Sequence, residues 1–493
     1  MLRAPRSFTT TMSRVSCQIT RSGQVYALGI TYASKKKTEE LLLKDAEGHH
    51  CFINPTGFHN HLSHHLLVAY DLGASAGHLQ KIYDNEAKDQ RPRILEEKDK
   101  SIIVDKDNWA QYLGNHHAYS SFVDFFSEEI KALGVSETLE KYVFEEEANK
   151  KGIDMLTRVV SGAVHPFIQI GYGAEFGNDM LIATGIAQAA VHVPLTGTIF
   201  YGKIDTSPPS ETISLLELLR RVYGSHILAP PLPYDPKAFI SARMRGALAD
   251  GRAEEIARLC SLYHISDTIT DAEVNAKVEE IIWTTVLLMS ATGRPERHPR
   301  LDFFLMHLVT SSLFVRPLVG MLSKPKYKAA LLRTYIPVII LITLSRGRPR
   351  IDPVLVMSYT DVPRPPVRLH TPSSSALGNP GNDVYYNPWP AMEEGVRYHP
   401  DSHVLKAMRT LMHGTKMYGT TPPGGVPGTF RDGEGKEETH KGMAQLDGTL
   451  FVRAAGIMMN HMGWLGVGQD PGEWDRSALG WDAAWESEDQ LIL

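Results

Sequence analysis

Histidines are concentrated near the N-terminal end of this chain. Seven of the 21 histidines lie between residues 49 and 78, and four of them, His59, His61, His64 and His65, stand at the start of an apolar segment with helical periodicity. Imidazole is a common ligand of transition metals, and residues three or four apart share one face of a helix. The segment predicts a metal site, but exposed or hydrogen-bonded histidines would give the same pattern. It has no HExxH motif and no cysteine pair.

Two further histidines lie in apolar sequence, where an unpaired imidazole is costly. His165 precedes Pro166, which favours a helix start or a turn, and His307 lies in a helix-patterned segment without charged residues from Phe303 to Val315. Either ring could be a hydrogen-bonded core residue. The second interpretation is that both rings are metal ligands.

The last group of chemically active side chains lies near residue 400. His403 and Lys406 are three apart on a predicted helix and face the same way, and His399 lies just upstream. A solvated surface helix explains this spacing. The functional interpretation makes His403 a ligand and Lys406 a base or, after reaction with CO2, an anionic carbamate. A carbamate requires burial that keeps the amine neutral.

Several function classes are excluded by missing motifs. The glycines of GYGAEFG (residues 171–177) lack the dinucleotide-binding spacing, and no Walker A, GxSxG or kinase motif is present. A net charge of -5 with dispersed basic residues predicts no nucleic-acid binding. Three distant cysteines favour a reducing compartment, so we expect a cytoplasmic protein.

The apolar periodicity predicts an all-α, or mainly α, protein. Four segments predict helices, namely 121–134, 210–224, 270–293 and 301–315, and strand signals are few. Regions rich in proline and glycine at 346–396 and 419–438 predict long loops around one large helical domain. The longest strongly apolar run, Tyr335–Leu344, is shorter than the roughly 20 residues of a membrane span.

The N-terminal residues have a different composition. Residues 1–36 are rich in arginine, serine and threonine and contain no acidic residue. This composition is typical of a disordered extension and also of a mitochondrial targeting segment. We therefore expect an N-terminal extension over residues 1–36 and a helical catalytic domain over residues 37–493.

Several blocks of sequence, taken together and in order, carry a family resemblance. HNHLSHHLLVAYDLGAS (59–75), YLGNHHAYSSFVDFFSEEI (112–130), HPFIQIGYGAEF (165–176), FFLMHLVTSSLF (303–314) and HPDSHVLKAMRTL (399–411) resemble the questin oxidase family of fungal secondary metabolism. The resemblance covers roughly residues 37–465. It implies oxygen-dependent, Baeyer-Villiger-type ring cleavage of an anthraquinone or related aromatic polyketide, with NADPH and O2 and without a flavin motif.

A related ring-cleaving member implies a second expectation, a non-haem iron site with four histidines and a carbamylated lysine. Carried onto this chain, the implied ligands are His61, His165, His307, His403 and Lys406, with His65 and His399 as alternates. Lys406 and His165 would be catalytic, and Phe167, Tyr172 and Phe304 would line the substrate pocket. The chain departs from the family pattern at Gln169, where a histidine is common. A dioxygenase needs no NADPH, so the reductant stays open.

Two other functions remain compatible with these residues. One is a metal-dependent hydrolase with zinc, in which a Lys406 carbamate or Asp401 would act as a bridging or basic group. The other is a non-catalytic helical relative that keeps its histidines for packing. Metal analysis separates these alternatives from the iron oxygenase.

Overall fold

The computed structural model describes residues 15–195, 199, 212–231, 233–367, 371–431 and 435–486. The described part of the chain contains helices and isolated bridges but no strand, so the all-α prediction is confirmed. The α-helices are α1 Tyr32–Gly48, α2 Leu62–Asp71, α3 Ala76–Glu86, α4 Tyr119–Leu133, α5 Val135–Leu139, α6 Met155–Val159, α7 Ser161–Phe176, α8 Asp179–Val191, α9 Leu215–Gly224, α10 Ile240–Leu248, α11 Arg252–Ser261, α12 Asp271–Ser290, α13 Phe303–Ser312, α14 Val315–Gly320, α15 Pro325–Ser345, α16 Pro353–Ser358, α17 Trp389–Arg397, α18 Ser402–Tyr418 and α19 Leu450–Met462.

Local sequence signals explain where the predicted helices begin and end. Helix α4 buries the predicted apolar stripe and ends at Gly134, whose φ of 84° favours glycine. Helix α12 begins with a capping box between Thr270 and Glu273. Helix α9 begins after Ser214, whose side chain accepts a hydrogen bond from the amide of Glu217. This helix therefore begins five residues after the start of the predicted segment 210–224, because Ser214 caps it.

Four helices that carry chemically active residues pack against one another. Helix α2 contacts α7 and α18, and α13 contacts the same two helices. The buried apolar residues of these four helices belong to one continuous core that extends from Val15 to Trp474. The two proline- and glycine-rich regions lie outside these four helices, and the first of them includes α16 and part of α17.

The segment from Val15 onward differs from the expected disordered extension. Val15 and Ile19 are buried, and the amide of Thr20 donates to the carbonyl of Phe176 at the end of α7. The amide of Ala27 donates to the carbonyl of Asp71 at the end of α2. This segment packs because its apolar side chains and backbone donors find partners on the helix ends. Residues 1–14, where a targeting signal would begin, lie outside the described residues.

A buried ion-pair group joins three of the four helices. Arg409 of α18 donates to Asp71 of α2 at 2.7 Å and also to Glu175 of α7. The N-terminal segment completes the group, because the amide of Gln24 donates to Glu175 and the amide of Val25 donates to Asp71. Removing one member of such a buried group leaves an uncompensated charge. The group therefore fixes how α2, α7 and α18 are placed relative to one another.

Two apolar stretches are longer than the apolar run Tyr335–Leu344. Phe303–Gly320 and Pro325–Ser345 have the length and composition of membrane-crossing helices, although 72% and 83% of these windows are buried inside the protein. Core helices of a globular protein have the same properties. The expectation of no membrane span stays a prediction.

Candidate metal centre

Four histidines from different parts of the chain meet between the four helices. The ligand nitrogens of His61, His165, His307 and His403 all lie within 4.8 Å of one another. Bonds of about 2.1 Å to one ion would place adjacent nitrogens about 3 Å apart and opposite ones about 4 Å apart. The four side chains can therefore converge on one metal ion with small shifts. We call these four residues the histidine cluster.

His61 reaches the cluster from the beginning of a helix. It is the N-cap residue of α2 but its side chain makes no capping hydrogen bond, so the ring is free to turn inward. Its Nε2 lies 2.8 Å from Nε2 of His165. The alternate residue His65 lies one turn further, and its Nδ1 is paired with Glu86 instead. The structure thus places His61, and not His65, in the cluster.

An unusual backbone turn directly before His165 positions its side chain in the cluster. Gly162, Ala163 and Val164 all have positive φ, between 51° and 62°, and the regular helix begins only at His165 and Pro166. Positive φ is a genuine outlier for a β-branched residue such as Val164, and such strain is concentrated at functional sites. The turn brings the carbonyl of Gly162 within 2.6 Å of His165 Nδ1. Pro166 therefore marks a helix start, as the sequence predicts.

The remaining two cluster residues have one ring nitrogen bound and one unpaired. His307 Nδ1 donates to the carbonyl of Phe303 at 2.7 Å, and His403 Nδ1 donates to Asp401 Oδ1 at 2.7 Å. The Nε2 atoms of both rings are buried and have no hydrogen-bond partner among the described residues. A proton held on Nδ1 leaves the lone pair on Nε2, which is the state that binds a metal.

Asp401 fixes the orientation of His403 through several bonds. Its Oδ1 also accepts the backbone amide of His403, and its Oδ2 accepts the indole N–H of Trp474 at 3.0 Å. The neighbouring His403 imidazole holds the pKa of Asp401 well below its usual range against the opposing effect of burial. Asp401 therefore stays ionised and increases the basicity of the His403 ring.

Lys406 lies beside the cluster, one turn after His403. Its amine is buried and has no hydrogen-bond partner among the described residues. Burial lowers the pKa of Lys406 to about 8, although the charges of Asp401 and Glu86 oppose this shift. The lysine charge in turn helps to lower the pKa of each of the four cluster histidines. An unpaired buried ammonium is costly, so this site favours a neutral amine or an anionic derivative.

The electrostatics of the cluster favour neutral imidazoles. Burial is the largest cause that lowers the pKa of His61, His165 and His307 well below the usual value, and it lowers that of His403 to about 4. Four neutral nitrogens suit iron, zinc or copper better than magnesium or calcium, which prefer oxygen ligands. The donor set and the two orphaned Nε2 atoms therefore fit a transition metal.

Three of the remaining candidate residues lie elsewhere. His399 donates from Nε2 to the carbonyl of Met462 and accepts the Asp401 amide at Nδ1, so it points away from the cluster. Phe167 stacks on Tyr335 in the core, and Tyr172 packs against Phe314 and His64. Phe167 and Tyr172 are fully buried and covered by close neighbours, and their expected role as walls of a substrate pocket stays a prediction.

The rings that do flank the cluster come from the start of α13. Phe304, the third predicted pocket residue, is partly exposed, and its centroid lies 6.2 Å from the His307 ring. Phe303 is closer, at 4.7 Å from His307 and 5.0 Å from His403. Phe303 was not among the residues expected at the site, although its position four residues before His307 places it on the same helical face.

Other histidines support the cluster without joining it. His59 stacks on His165 with centroids 3.8 Å apart, and its Nε2 lies 2.8 Å from Nε2 of His192. His64 Nε2 donates to Gln169 Oε1 at 2.8 Å, at the position where the family often has a histidine. No sequence signal pointed to His192, because its pairing with His59 depends on the contact between distant segments.

Sequence comparison gives the same family as the resemblance. A model of the Questin oxidase-like family matches residues 58–411. A Baeyer-Villiger monooxygenase, dmxR6, of a Cryptosporiopsis species is 30% identical over 61% of this chain and 68% of its own length. A questin oxidase of Aspergillus fumigatus is 28% identical over 55% of this chain and 61% of its own, and the oxidoreductase AflY of Aspergillus parasiticus is 25% identical over 77% and 72%.

Proposed function

Because this chain belongs to the questin oxidase-like family, we propose that it is an oxidoreductase that uses O2 to open a ring of an aromatic polyketide, such as an anthraquinone. The relatives carry names of questin oxidases and Baeyer-Villiger oxidases, which supports oxidative ring cleavage in fungal secondary metabolism. We further propose that the reaction takes place at a non-haem iron ion held by the histidine cluster.

The convergence of four neutral imidazoles is the observation that carries this proposal. His61, His165, His307 and His403 would hold the ion, and the Nδ1 bonds of His165, His307 and His403 would keep their Nε2 lone pairs directed at it. Ferrous iron, when bound, supplies the electrons that activate O2. The chain itself supplies fixed ligand orientation and a buried environment that excludes water.

Lys406 has a separate role in this proposal. Its buried amine without a hydrogen-bond partner, together with a pKa near 8, supports conversion to a carbamate, which would add an anionic oxygen to four neutral nitrogens. The carbamate would take the place of the carboxylate in ordinary iron sites that have two histidines. Until CO2 adds, the neutral amine of Lys406 can accept a proton beside His403.

The substrate would approach from the side of the cluster where the rings are only partly covered. Among the cluster residues, His61 alone is partly exposed, and Phe303 and Phe304 are partly exposed beside His307. Flat aromatic side chains at the edge of a metal site can stack against a flat polycyclic substrate.

A direct assay tests this function. Iron-loaded protein is mixed with hydroxylated anthraquinones, and O2 consumption and ring-opened product are followed with and without NADPH. We expect substrate-dependent O2 uptake and a ring-opened product. Turnover without NADPH would identify a dioxygenase, and dependence on NADPH would identify a monooxygenase. Iron-loaded protein that consumes no O2 with any member of the series would contradict the proposal, and hydrolysis by zinc-loaded protein would favour the metal-dependent hydrolase.

A further inference from the structure

The C-terminal segment that contains Asp475 and Arg476 lies beside the start of α13, next to the histidine cluster. The amide of Phe303 donates to the carbonyl of Asp475, and the amide of Asp475 donates to the carbonyl of Leu301, both at 2.8 Å. Arg300 pairs with the Asp475 carboxylate, with Nε 2.9 Å from Oδ2. These bonds hold the segment alongside the start of α13, so its side chains have defined positions near the cluster.

Arg476 lies on this segment, directly above one of the rings that flank the cluster. Its guanidinium carbon is 4.0 Å from the centroid of the Phe303 ring, and Phe303 in turn contacts His307 and His403. The carbonyl of Arg476 accepts a hydrogen bond from Arg346, which fixes the backbone from which the side chain extends.

The guanidinium of Arg476 has no hydrogen bond or ion pair within the part of the chain that the structure describes, and the residue is exposed. The carboxylate of the adjacent Asp475 pairs with Arg300, and the carboxylate of Asp401 bonds to His403 and Trp474. A guanidinium that stacks on an aromatic ring keeps its edge N–H donors available for a planar anion.

From this placement we infer that Arg476 is a substrate-binding residue, and that the site selects aromatic substrates that carry an ionised carboxylate or phenolate. The anion would pair with the guanidinium edge while the fused rings extend past Phe303 toward the histidine cluster. This inference rests on the proposed function, because it assigns the substrate class of the same site. Arg476 would orient the substrate and would take no part in binding the metal.

A matched pair of ligands tests the charge preference. Rhein is a dihydroxyanthraquinone carboxylate, and in aloe-emodin a hydroxymethyl group replaces the carboxylate. Their dissociation constants are measured at pH 7 with the purified protein under nitrogen, with and without added iron, from changes in their visible absorption. For the wild-type protein we expect rhein to bind more tightly than aloe-emodin by about 10- to 100-fold, as for a charge-assisted bidentate hydrogen bond.

Two variants locate the anion. Arg476→Gln should remove the preference for rhein and leave the iron content unchanged, while Arg476→Lys should keep part of it. Arg350→Gln is the control, because Arg350 is also exposed and lies over a ring, Tyr223 at 5.3 Å, in a separate cavity of about 1020 Å³. This control should keep the full preference.

Three results would overturn the inference: equal affinities for both ligands in the wild-type protein, a preference that survives in Arg476→Gln, or a preference that is lost in Arg350→Gln. Failure of the proposed function looks different. In that case the protein would contain no iron or open no anthraquinone, whereas the binding preference and its loss in Arg476→Gln can be measured without turnover.

Discussion

At the scale of single residues, the candidate metal centre depends on where each imidazole carries its proton. Backbone carbonyls or a carboxylate hold the Nδ1 proton of His165, His307 and His403. The sequence could indicate which histidines are unusual, because an imidazole in apolar sequence needs a partner. It could not choose between His61 and His65, since that choice depends on Glu86, whose side chain binds His65.

We expect His307→Ala to lose metal and activity together, because it removes one of the four expected ligands in the histidine cluster. His399→Ala is the matched control, since His399 is also buried but is directed at the carbonyl of Met462. The measurement is metal per chain after anaerobic purification of both variants. Full metal occupancy in His307→Ala would refute the assignment of His307.

Lys406→Arg should be inactive although it keeps the positive charge, because arginine cannot form a carbamate. The wild-type protein, depleted of CO2 and then given bicarbonate, should regain activity, and the variant should not. Since the pKa of Lys406 is about 8, the fraction of reactive neutral amine increases as the pH rises from 6 to 8, and at a fixed concentration of dissolved CO2 the rate of recovery should increase with it. Wild-type turnover by Lys406→Arg would rule out the carbamate and leave the histidine cluster unaffected.

Asp401→Asn should weaken metal binding by about 10- to 100-fold, because it removes the negative charge that orients His403 and increases its basicity. Asparagine is a good N-cap, so α18 should remain folded. Asp352→Asn is the control for the cap, because Asp352 has the same capping role at α16, a helix that carries no histidine of the cluster. A chelator competition gives both affinities, and equal losses in the two variants would contradict the role of Asp401.

At the scale of elements, the sequence predicted the positions of individual helices well but did not predict how these helices pack against one another. Periodicity located α4, α9 and α12, because this signal is local, although α9 begins later than predicted. The left-handed turn at residues 162–164 has no such signal, since alanine and valine rarely adopt the positive φ that Ala163 and Val164 have here. The same limit applies to Phe167 and Tyr172, because the rings that cover them come from distant segments.

Gly162→Ala should disturb this turn and the placement of His165. An added Cβ would lie 2.4 Å from His192 Nε2 and 3.0 Å from His59 Nε2. Gly152→Ala is the control, because Gly152 also has positive φ but has no atom within 4 Å of the added Cβ. In the control, the free energy of unfolding should fall only by the cost of a positive φ for alanine, about 1–2 kcal/mol. In Gly162→Ala it should fall further, and the metal content should fall as well. Equal melting temperatures and equal metal contents of the two variants would contradict this role.

At the scale of the whole molecule, the protein buries many histidines in neutral form. Burial lowers the pKa of His50, His192, His403 and His413 to about 4 each. The unfolded chain takes up these protons near pH 6.5, so between pH 6.5 and 4 it binds more protons than the folded chain. The stability present above pH 6.5 is therefore lost as the pH falls through this window.

The metal-free protein should accordingly show a steep acid dependence, with about 1.4 kcal/mol lost per pH unit for each such histidine. Urea unfolding of metal-free protein at several pH values between 7 and 4 measures this slope. His413→Gln should reduce the slope by about 1.4 kcal/mol per pH unit, the contribution of one buried histidine. A free energy of unfolding that stays constant over this range would contradict the burial of neutral histidines.

The metal content of the protein tests the central claim most directly. Iron, zinc, manganese and copper are measured per chain in protein purified without oxygen, beside His307→Ala prepared in the same way. We predict about one iron per wild-type chain, as expected for a single site of converging imidazoles, and much less in the variant. Wild-type protein that holds no metal, or that holds it equally well without His307, would contradict the account.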